Sequence, residues 1–267
     1  MTTTWTWKTW KDRPFLTCSL LPQPHGFFTQ HFYPQVPVDL SLALAPKARV
    51  YRVKQVHSAD VLTPTEIETA TATGLPRLPD GTPSAFPFAD GIISESVQQS
   101  VWACSADCTP ALIGDVATGR VSAVHAGWRG TAQKIVPKAV GRFLTQGSRL
   151  ENLRVALGPA IDGEVYQVEC DVAAKVGATV ISEPDAAVDA IVNQLLAVEN
   201  PPLLSDSQDG HVRLDVRRIN QMQLEQMGLM GEQVAIAPYC TYQEPQTFFS
   251  YRRTKEKKVQ WSGIVSQ

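Results

Sequence analysis

Three side chains that can bind a metal or perform covalent chemistry follow predicted strands of this sequence. Cys108 and His125 lie within the segment 101–130, and His57 follows an earlier strand. Thiolate and imidazole groups are ligands that zinc and copper prefer, and a cysteine beside a histidine can also act as a nucleophile. Most of what the sequence indicates about function therefore depends on whether these three residues converge.

A structural role is the alternative for each of these side chains. A lone cysteine in a strand is usually a small core residue, and a lone histidine is more often hydrogen-bonded within the fold than bound to a metal. Two imidazoles and one thiolate would form a three-ligand set with a fourth position open for water or substrate, as in catalytic zinc sites. The spacing alone leaves both interpretations open. Cys104 is predicted to point into the core.

The segment AGWRG after His125 has the features of an anion site. Gly127 and Gly130 let a ligand approach the backbone closely, and Thr131 is the predicted first residue of a helix whose N-terminus would attract an anion. Arg129 is suited to a two-point contact with phosphate or carboxylate. A tight turn with a solvated Arg129 is the alternative, as is a solvated basic edge for Arg252.

A predicted hairpin positions two of the three candidate ligands. Residues 111–115 and 120–125 are predicted strands, and the sequence VATG between them is typical of a turn. The hairpin returns the chain so that Cys108 and His125 meet at one end of the sheet. His57 joins them if the strand before it is a neighbour.

The order of the remaining elements indicates the fold class. Strands and helices do not alternate strictly, which favours one α/β domain of the α+β type, with a mixed sheet and flanking helices. Residues 1–24 are predicted to be an irregular covering segment, residues 25–267 a single domain, and residues 63–87 a long loop within it. Further strands are predicted over 48–56, 88–96, 101–105, 153–159, 234–240 and 247–253, and helices over 131–144, 169–180, 186–198 and 216–229.

The composition is typical of a globular protein with a small-molecule substrate. Of 267 residues 43% are apolar, and 24 basic against 26 acidic side chains attract neither nucleic acid nor a membrane surface. The absence of a long apolar run and of a signal peptide predicts a cytoplasmic protein. Five scattered cysteines favour thiols over disulfides.

Five histidines without a His-x-His pair argue against a multicopper oxidase, and the deaminase pattern H-x-E with P-C-x-x-C is absent.

Eight motifs make the sequence similar to the YfiH family, also known as the laccase-domain, polyphenol oxidase or peptidoglycan-editing factor PgeF family. The resemblance covers nearly the whole chain from about His25 onward, and the combination of HAGWRG, ADC and FFSYRR is highly specific. The motifs are QVH at 55–57, FADGIIS at 88–94, SADCTPALIGD at 105–115, SAVHAGWRGT at 122–131, LGPAI at 157–161, YQVECDV at 166–172, APYCT at 237–241 and FFSYRR at 248–253.

The resemblance implies a fold, a metal and an activity. The fold would be related to the catalytic domain of cytotoxic necrotizing factor, a cysteine hydrolase. The metal would be zinc rather than copper, held by His57, Cys108 and His125. The activity would be phosphorolysis of adenosine, inosine, guanosine and methylthioadenosine, with hydrolytic deamination of adenosine. The partners would be purine nucleosides and phosphate, and the oligomeric state stays open, a monomer included.

Within that activity the other candidate residues take defined roles. Arg129, Gly127 and Thr131 would hold phosphate or the developing negative charge, and Arg252 is a further candidate for this contact. Asp107, beside the thiolate ligand, would carry a proton or orient that ligand.

Three other functions are compatible with the same residues. Cys108 as nucleophile and His125 as base would make a hydrolase of amide or peptidoglycan-precursor bonds. A copper-dependent polyphenol oxidase and a non-catalytic metal-binding protein are the other two. The chain departs from the family at FFTQHFYPQVP (27–37), which lacks an arginine and a Gly-Gly-x-Ser turn, and at KEKKVQ (255–260), which replaces Thr-Gly-Arg. These departures concern substrate preference and activity more than metal binding.

Overall fold

The computed structural model describes residues 3–267, whose strands form three sheets. The strands are β1 (Trp5–Trp10), β2 (Arg13–Cys18), β3 (His25–Phe28), β4 (Arg49–Tyr51), β5 (Val61–Leu62), β6 (Gly91–Ile93), β7 (Gln99–Ser105), β8 (Thr109–Asp115), β9 (Val121–Ala126), β10 (Leu153–Leu157), β11 (Gln167–Glu169), β12 (Leu203–Ser205), β13 (His211–Leu214), β14 (Val234–Ile236) and β15 (Gln260–Val265). The α-helices are α1 (Pro37–Leu44), α2 (Pro64–Thr73), α3 (Trp128–Ala132), α4 (Ile135–Thr145), α5 (Cys170–Gly177), α6 (Val188–Ala197), α7 (Val216–Gln226) and α8 (Tyr251–Thr254). The predicted α+β class is confirmed, with the strands distributed over three sheets instead of one.

The first sheet has the order β1-β2-β3-β15-β7-β4. Its neighbours are antiparallel except for β4 and β7, which run parallel. Every residue of β15 is buried, as expected for a strand inside a sheet that is covered on both faces. Trp102, Trp261 and Phe28 pack with Leu40 of α1 in an aromatic cluster on one of these faces.

The second sheet has the order β14-β10-β8-β9-β6-β5 and carries the predicted hairpin. That prediction is confirmed, because β8 and β9 pair in antiparallel register with Pro110 opposite His125. Both strands are mostly apolar and completely buried, and α4 covers one face of the sheet. The buried residues of α4 recur at helical spacing: Ile135, Val136, Ala139, Val140 and Phe143.

The third sheet has the order β11-β13-β12 and is antiparallel. It packs with α5, α6 and the start of α7 around its own apolar cluster, which includes Ala173, Ile191, Leu203 and Ile219. Trp128 and Tyr166 border this cluster, so it supports residues that follow His125 in the second sheet.

The prediction of an irregular segment over residues 1–24 is wrong for β1 and β2. These strands form the edge of the first sheet, and all six residues of β1 pair with β2. Tryptophan and threonine alternate with few interruptions in WTWKTW, and aromatic and β-branched side chains favour strands. The division of the chain at residue 24 stays a prediction.

The prediction of a continuous loop over residues 63–87 is also wrong in its first half. Helix α2 begins there with a capping box, in which Thr63 and Glu66 each accept a hydrogen bond from the other's backbone N–H group. Pro64 occupies the first turn, where its missing N–H group costs nothing. The pattern T-P-T-E is a helix start signal that the richness in threonine and proline concealed.

Two further elements differ from their predictions. Residues 247–253 do not form a strand, since Ser250 caps the short helix α8 by accepting a hydrogen bond from the Arg253 N–H group. The helix predicted over 131–144 begins earlier, at Trp128, and is divided at Lys134, whose backbone is left-handed with φ 59°. The predicted strands over 48–56 and 88–96 are regular only over β4 and β6. Within residues 3–267 no helix is long and apolar enough to cross a membrane.

His25 makes the stability of the first sheet depend on pH. Its ring is buried, with Nε2 accepting from the Cys18 N–H group and Nδ1 bound to the Gln23 carbonyl. Burial lowers the pKa of His25 from 6.5 to about 4. The unfolded chain therefore binds more protons between these values, and the protein loses up to about 3 kcal/mol as pH falls from 6.5 to 4. Urea unfolding across this range measures the loss.

The matched variants are His25→Gln, which cannot be protonated, and His31→Gln, which changes an exposed ring. We expect His25→Gln to flatten the stability profile below pH 6.5 and His31→Gln to leave it unchanged. An equal slope in His25→Gln and the unmodified protein would assign the acid sensitivity to other groups.

Candidate metal centre

The structure brings the three candidate ligands together. His57, Cys108 and His125 each offer one ligand atom, and these atoms lie within 4.8 Å of one another. His125 is buried in β9, Cys108 is partly exposed between β7 and β8, and His57 is exposed after β4. The cluster therefore lies at the surface end of a buried hairpin, with its exposed side available to a substrate.

The hairpin register explains how Cys108 and His125 meet. Thr109 lies opposite Ala126 and Pro110 lies opposite His125, so Cys108, directly before Thr109, lies at the end of the sheet where His125 is. The imidazole rings of His57 and His125 pack edge to face, with their centres 5.1 Å apart. The hairpin spacing predicted that Cys108 and His125 meet. His57 joins them although β4, the strand before it, is not a neighbour of the hairpin but pairs with β7 in the first sheet.

Asp90 is the residue that holds both histidines, and the sequence analysis missed it. Its carboxylate is completely buried and accepts hydrogen bonds from the backbone N–H groups of residues 56–58 at 2.7–3.0 Å. It also contacts Nδ1 of His125 at 2.8 Å. The backbone of His57 is left-handed, with φ 61°, and the three N–H contacts hold it in this uncommon conformation. The sequence signal that could have identified Asp90 was an acidic residue in the otherwise apolar motif FADGIIS, directly before β6.

The electrostatics of the cluster suit a metal ion. Burial raises the pKa of the Cys108 thiol, but the charge of His125 and hydrogen bonds from both histidines outweigh it and lower the pKa to about 6. Burial lowers the pKa of His125, and the Cys108 and Asp90 charges raise it overall. Since Nδ1 of His125 contacts Asp90, Nε2 is the ring nitrogen left to bind a metal. Thiolate is the form of cysteine that binds metals, so the donor set fits zinc.

Gly127 keeps space free behind the thiolate. A Cβ atom at this position would lie 2.7 Å from Cys108 Sγ and 3.7 Å from His57 Cδ2. The backbone of Gly127 has φ −72°, which alanine adopts without strain. We therefore expect Gly127→Ala to displace the sulfur and weaken metal binding roughly tenfold, as changes next to metal ligands do. Competition with a chromophoric chelator measures the change.

Gly141→Ala is the matched control for this variant. It lies in α4, where no atom lies within 4 Å of an added Cβ, so the helix should gain slightly in stability. Unchanged metal affinity in both variants would show that the space behind Cys108 Sγ is not restricted.

Two arginines near the cluster carry charges that no carboxylate neutralises. Arg129 lies over the Trp128 ring at 4.3 Å, and Arg252 lies over the Tyr166 ring at 4.8 Å. Neither forms an ion pair within the described residues. Burial and the Cys108 charge raise the pKa of Tyr166 to about 12, although both arginines lower it. A neutral phenol and two cations therefore lie near Cys108, and Tyr166 is a second residue that the sequence analysis missed.

Asp107 connects the turn before Cys108 to other parts of the fold. Its carboxylate accepts hydrogen bonds from the Thr241 hydroxyl and from the Arg252 N–H group, both at 2.7 Å. Its backbone is left-handed, with φ 88°, in the turn before Cys108. Asp107 thus ties the turn that carries the thiolate to α8, which carries Arg252. Two roles were predicted for Asp107, carrying a proton and orienting the thiolate ligand, and the geometry favours the second.

Thr131 is not the first residue of a helix. It lies inside α3, is completely buried, and accepts a hydrogen bond from Asn220 through its hydroxyl group at 3.0 Å. Its side chain therefore joins α3 to α7. Gly127, by contrast, is the residue that precedes α3, directly behind Cys108.

Comparison with known sequences identifies relatives over nearly the whole chain. Residues 39–265 match the family model described as multi-copper polyphenol oxidoreductase laccase. The protein of Synechocystis sp. named purine nucleoside phosphorylase slr1573 is 53% identical, over 98% of this chain and 97% of its own length. The Shigella flexneri protein named purine nucleoside phosphorylase YfiH is 30% identical over 76% of this chain and 68% of its own length.

Solved structures share the fold. The crystal structure of YlmD from Geobacillus stearothermophilus superposes with a TM-score of 0.74 at 22% identity, covering 97% of this chain and 98% of that one. The structure of the Bacillus licheniformis hypothetical protein YfiH gives a TM-score of 0.69 at 22% identity, covering 91% and 92%. The α+β arrangement of the three sheets is therefore shared with these proteins.

Proposed function

The chain belongs to the YfiH family, whose model is described as multi-copper polyphenol oxidoreductase laccase, and we propose that it is a zinc-dependent purine nucleoside phosphorylase with adenosine deaminase activity. The observation that carries this proposal is the 53% identity, over 98% of the chain, to a protein named purine nucleoside phosphorylase. The substrates would be adenosine, inosine, guanosine and methylthioadenosine, and the location cytoplasmic.

His57, Cys108 and His125 would hold the zinc ion. Two imidazoles and one thiolate form a three-ligand set of the kind found in catalytic zinc sites. Zinc in such a site supplies a Lewis acid that stabilises developing negative charge. Asp90 would keep the two histidines in position. A carboxylate on the second ring nitrogen fixes the tautomer and orientation of a ligating imidazole, here that of His125, and the hydrogen bond from the His57 N–H group holds the backbone of His57.

Arg129 and Arg252 would hold the phosphate beside the metal. In phosphorolysis a phosphate oxygen bonds to C1′ of the ribose while the bond from C1′ to the purine nitrogen breaks. Two guanidinium groups that form no ion pair can neutralise the phosphate and orient one oxygen towards C1′. The Nη1 group of Arg252 also donates a hydrogen bond to the Gln167 carbonyl. Asp107 fixes the backbone of Arg252, and the neutral Tyr166 hydroxyl can donate a hydrogen bond to the same phosphate.

The experiment that tests this proposal is nucleoside turnover by the purified protein of known metal content. Adenosine with phosphate should yield adenine and ribose 1-phosphate, and inosine should form whether or not phosphate is present. Arg129→Gln should reduce the phosphate-dependent products far more than inosine. Zinc-loaded protein that converts no nucleoside contradicts the proposal, and activity that follows copper content instead would favour the oxidase alternative.

A cysteine hydrolase is the second candidate, and one observation favours it. Cys108, His125 and Asp90 stand in the order nucleophile, base and orienting carboxylate, as in cysteine hydrolases with a catalytic triad. The metal-free protein would then form an acyl adduct on Cys108 with amide or ester substrates. Mass spectrometry of the intact protein after incubation with an activated ester, against the same test of Cys108→Ser, decides between the two candidates.

A further inference from the structure

Arg52 places a positive charge against two aromatic rings at the end of the first sheet. Its guanidinium carbon lies 4.4 Å from the ring centre of Phe86 and 4.7 Å from that of Trp261. Trp261 is 8% exposed and belongs to the aromatic cluster that includes Trp102 and Leu40. The guanidinium group therefore covers a buried ring, and contacts on two rings restrict its motion.

No acidic group neutralises this charge. The Nε atom of Arg52 is buried without a hydrogen-bond partner, and the side chain forms no ion pair within residues 3–267. The neighbouring Cys104 thiol does not compensate, because burial raises its pKa to about 12 even though Arg52 and Lys54 lower it. Two cations, Arg52 and Lys54, thus lie beside a neutral thiol.

A purely structural role does not account for this arrangement. Leucine or methionine would cover Trp261 equally well and would not leave a buried N–H group unsatisfied. Only Nε of Arg52 is buried and without a partner, so the terminal nitrogens remain accessible at the surface. A guanidinium group that is held by two rings and open at its terminal nitrogens is arranged in advance to contact two oxygens of an anion.

Neighbours of Arg52 belong to the first sheet. The Gln55 side-chain amide pairs with the backbone of Cys104 through hydrogen bonds of 2.7 and 2.8 Å, which joins the Arg52 segment to β7. Cys104 packs against the aromatic cluster of the first sheet. His125, by contrast, lies in the second sheet. The ring contacts of Arg52 are with Phe86 and Trp261, so a ligand on Arg52 would not replace a contact of the three candidate metal ligands.

From these contacts we propose that Arg52, with Lys54 beside it, binds the phosphate group of a small molecule at a site outside the metal centre. The terminal nitrogens of Arg52 contact two phosphate oxygens, and Lys54 adds charge without a fixed geometry. Phe86 and Trp261 hold the guanidinium group in place. Inorganic phosphate and a sugar phosphate share this chemistry, and the test separates them.

The test observes the Nε–H group of Arg52 directly by NMR, in the metal-loaded full-length protein labelled with ¹⁵N arginine. The buried Nε–H group of Arg52 gives one NMR signal, which is assigned by its disappearance in Arg52→Met. If the methionine variant does not fold, the disappearance of the signal in Arg52→Lys assigns it instead. Inorganic phosphate and glucose 6-phosphate are titrated separately. We expect a saturable shift of this signal, and the compound that saturates it at the lower concentration is the source of the phosphate.

Two variants control for other sites. Arg49 also lies over an aromatic ring, that of Tyr51, but is already paired with Glu68, so Arg49→Gln should leave the titration unchanged. Arg129→Gln should leave it unchanged as well, since Arg129 belongs to the metal centre. The absence of a saturable shift with both compounds, or its loss in Arg129→Gln, overturns the proposal. Nucleoside turnover does not enter the readout, so this result is independent of the proposed enzyme activity.

Discussion

Replacement of Cys108 by alanine is expected to abolish both metal binding and nucleoside turnover. Cys108 contributes the only thiolate to the cluster of His57, Cys108 and His125. Without it two imidazoles remain, one of them exposed, and two ligands do not hold zinc in the three-ligand geometry of a catalytic site. Metal content by elemental analysis should fall to background, and formation of adenine from adenosine and phosphate should fall with it.

Cys104→Ala is the control for this loss. Cys104 lies four residues earlier, in β7, but its thiol packs against the aromatic cluster and stays protonated, with its pKa raised by burial to about 12. This variant should keep its metal and its activity. Retention of stoichiometric metal by Cys108→Ala would exclude the proposed ligand set, and retained turnover in a metal-free Cys108→Ala would exclude both the zinc and the cysteine mechanisms.

Chelation of the unmodified protein should lower its melting temperature. A metal that binds the folded chain more strongly than the unfolded chain stabilises it by mass action. The cluster joins the segment after β4 to the hairpin of β8 and β9, so its loss should loosen these connections first. Cys108→Ala should show no response to the chelator, which separates the effect of the metal from that of the reagent.

The sequence predicted the hairpin because its pattern is local. Two apolar runs joined by VATG define β8 and β9, and their register places Cys108 and His125 at one end. The capping box of Thr63 and Glu66 is an equally local pattern, but it lies within a segment whose composition suggested a loop. The failure over 247–253 has another cause, since aromatic residues favour strands, whereas Ser250 starts a helix.

The support of the metal centre was not predictable from local patterns. Asp90 contacts residues more than thirty positions away, in the segment 56–58 and at His125. Tyr166 and Arg252 come together from different parts of the chain in the same way. Contacts of this kind depend on how β6 pairs with β9 and how α8 packs, and these pairings are not encoded in the spacing of the residues themselves.

Replacement of Asp90 by asparagine is expected to weaken metal binding without removing a ligand. The carboxylate accepts three backbone hydrogen bonds from residues 56–58 and contacts His125. Asparagine has one acceptor oxygen, and its NH₂ group faces N–H donors, so buried donors are left unsatisfied at about 1–3 kcal/mol each. The left-handed backbone of His57 then loses its support, and metal affinity should fall about 10- to 100-fold.

Asp60→Asn separates this effect from a general loss of negative charge. Asp60 lies in the same segment, its side chain is exposed, and only its backbone carbonyl contacts residues 90 and 91. Metal affinity by chelator competition and urea unfolding with and without metal should be unchanged in this control. In Asp90→Asn the metal affinity and the stability against urea should both fall. Excess zinc should restore turnover, because the three ligands are still present. Full metal affinity in Asp90→Asn would instead show that the hairpin positions His125 without the carboxylate.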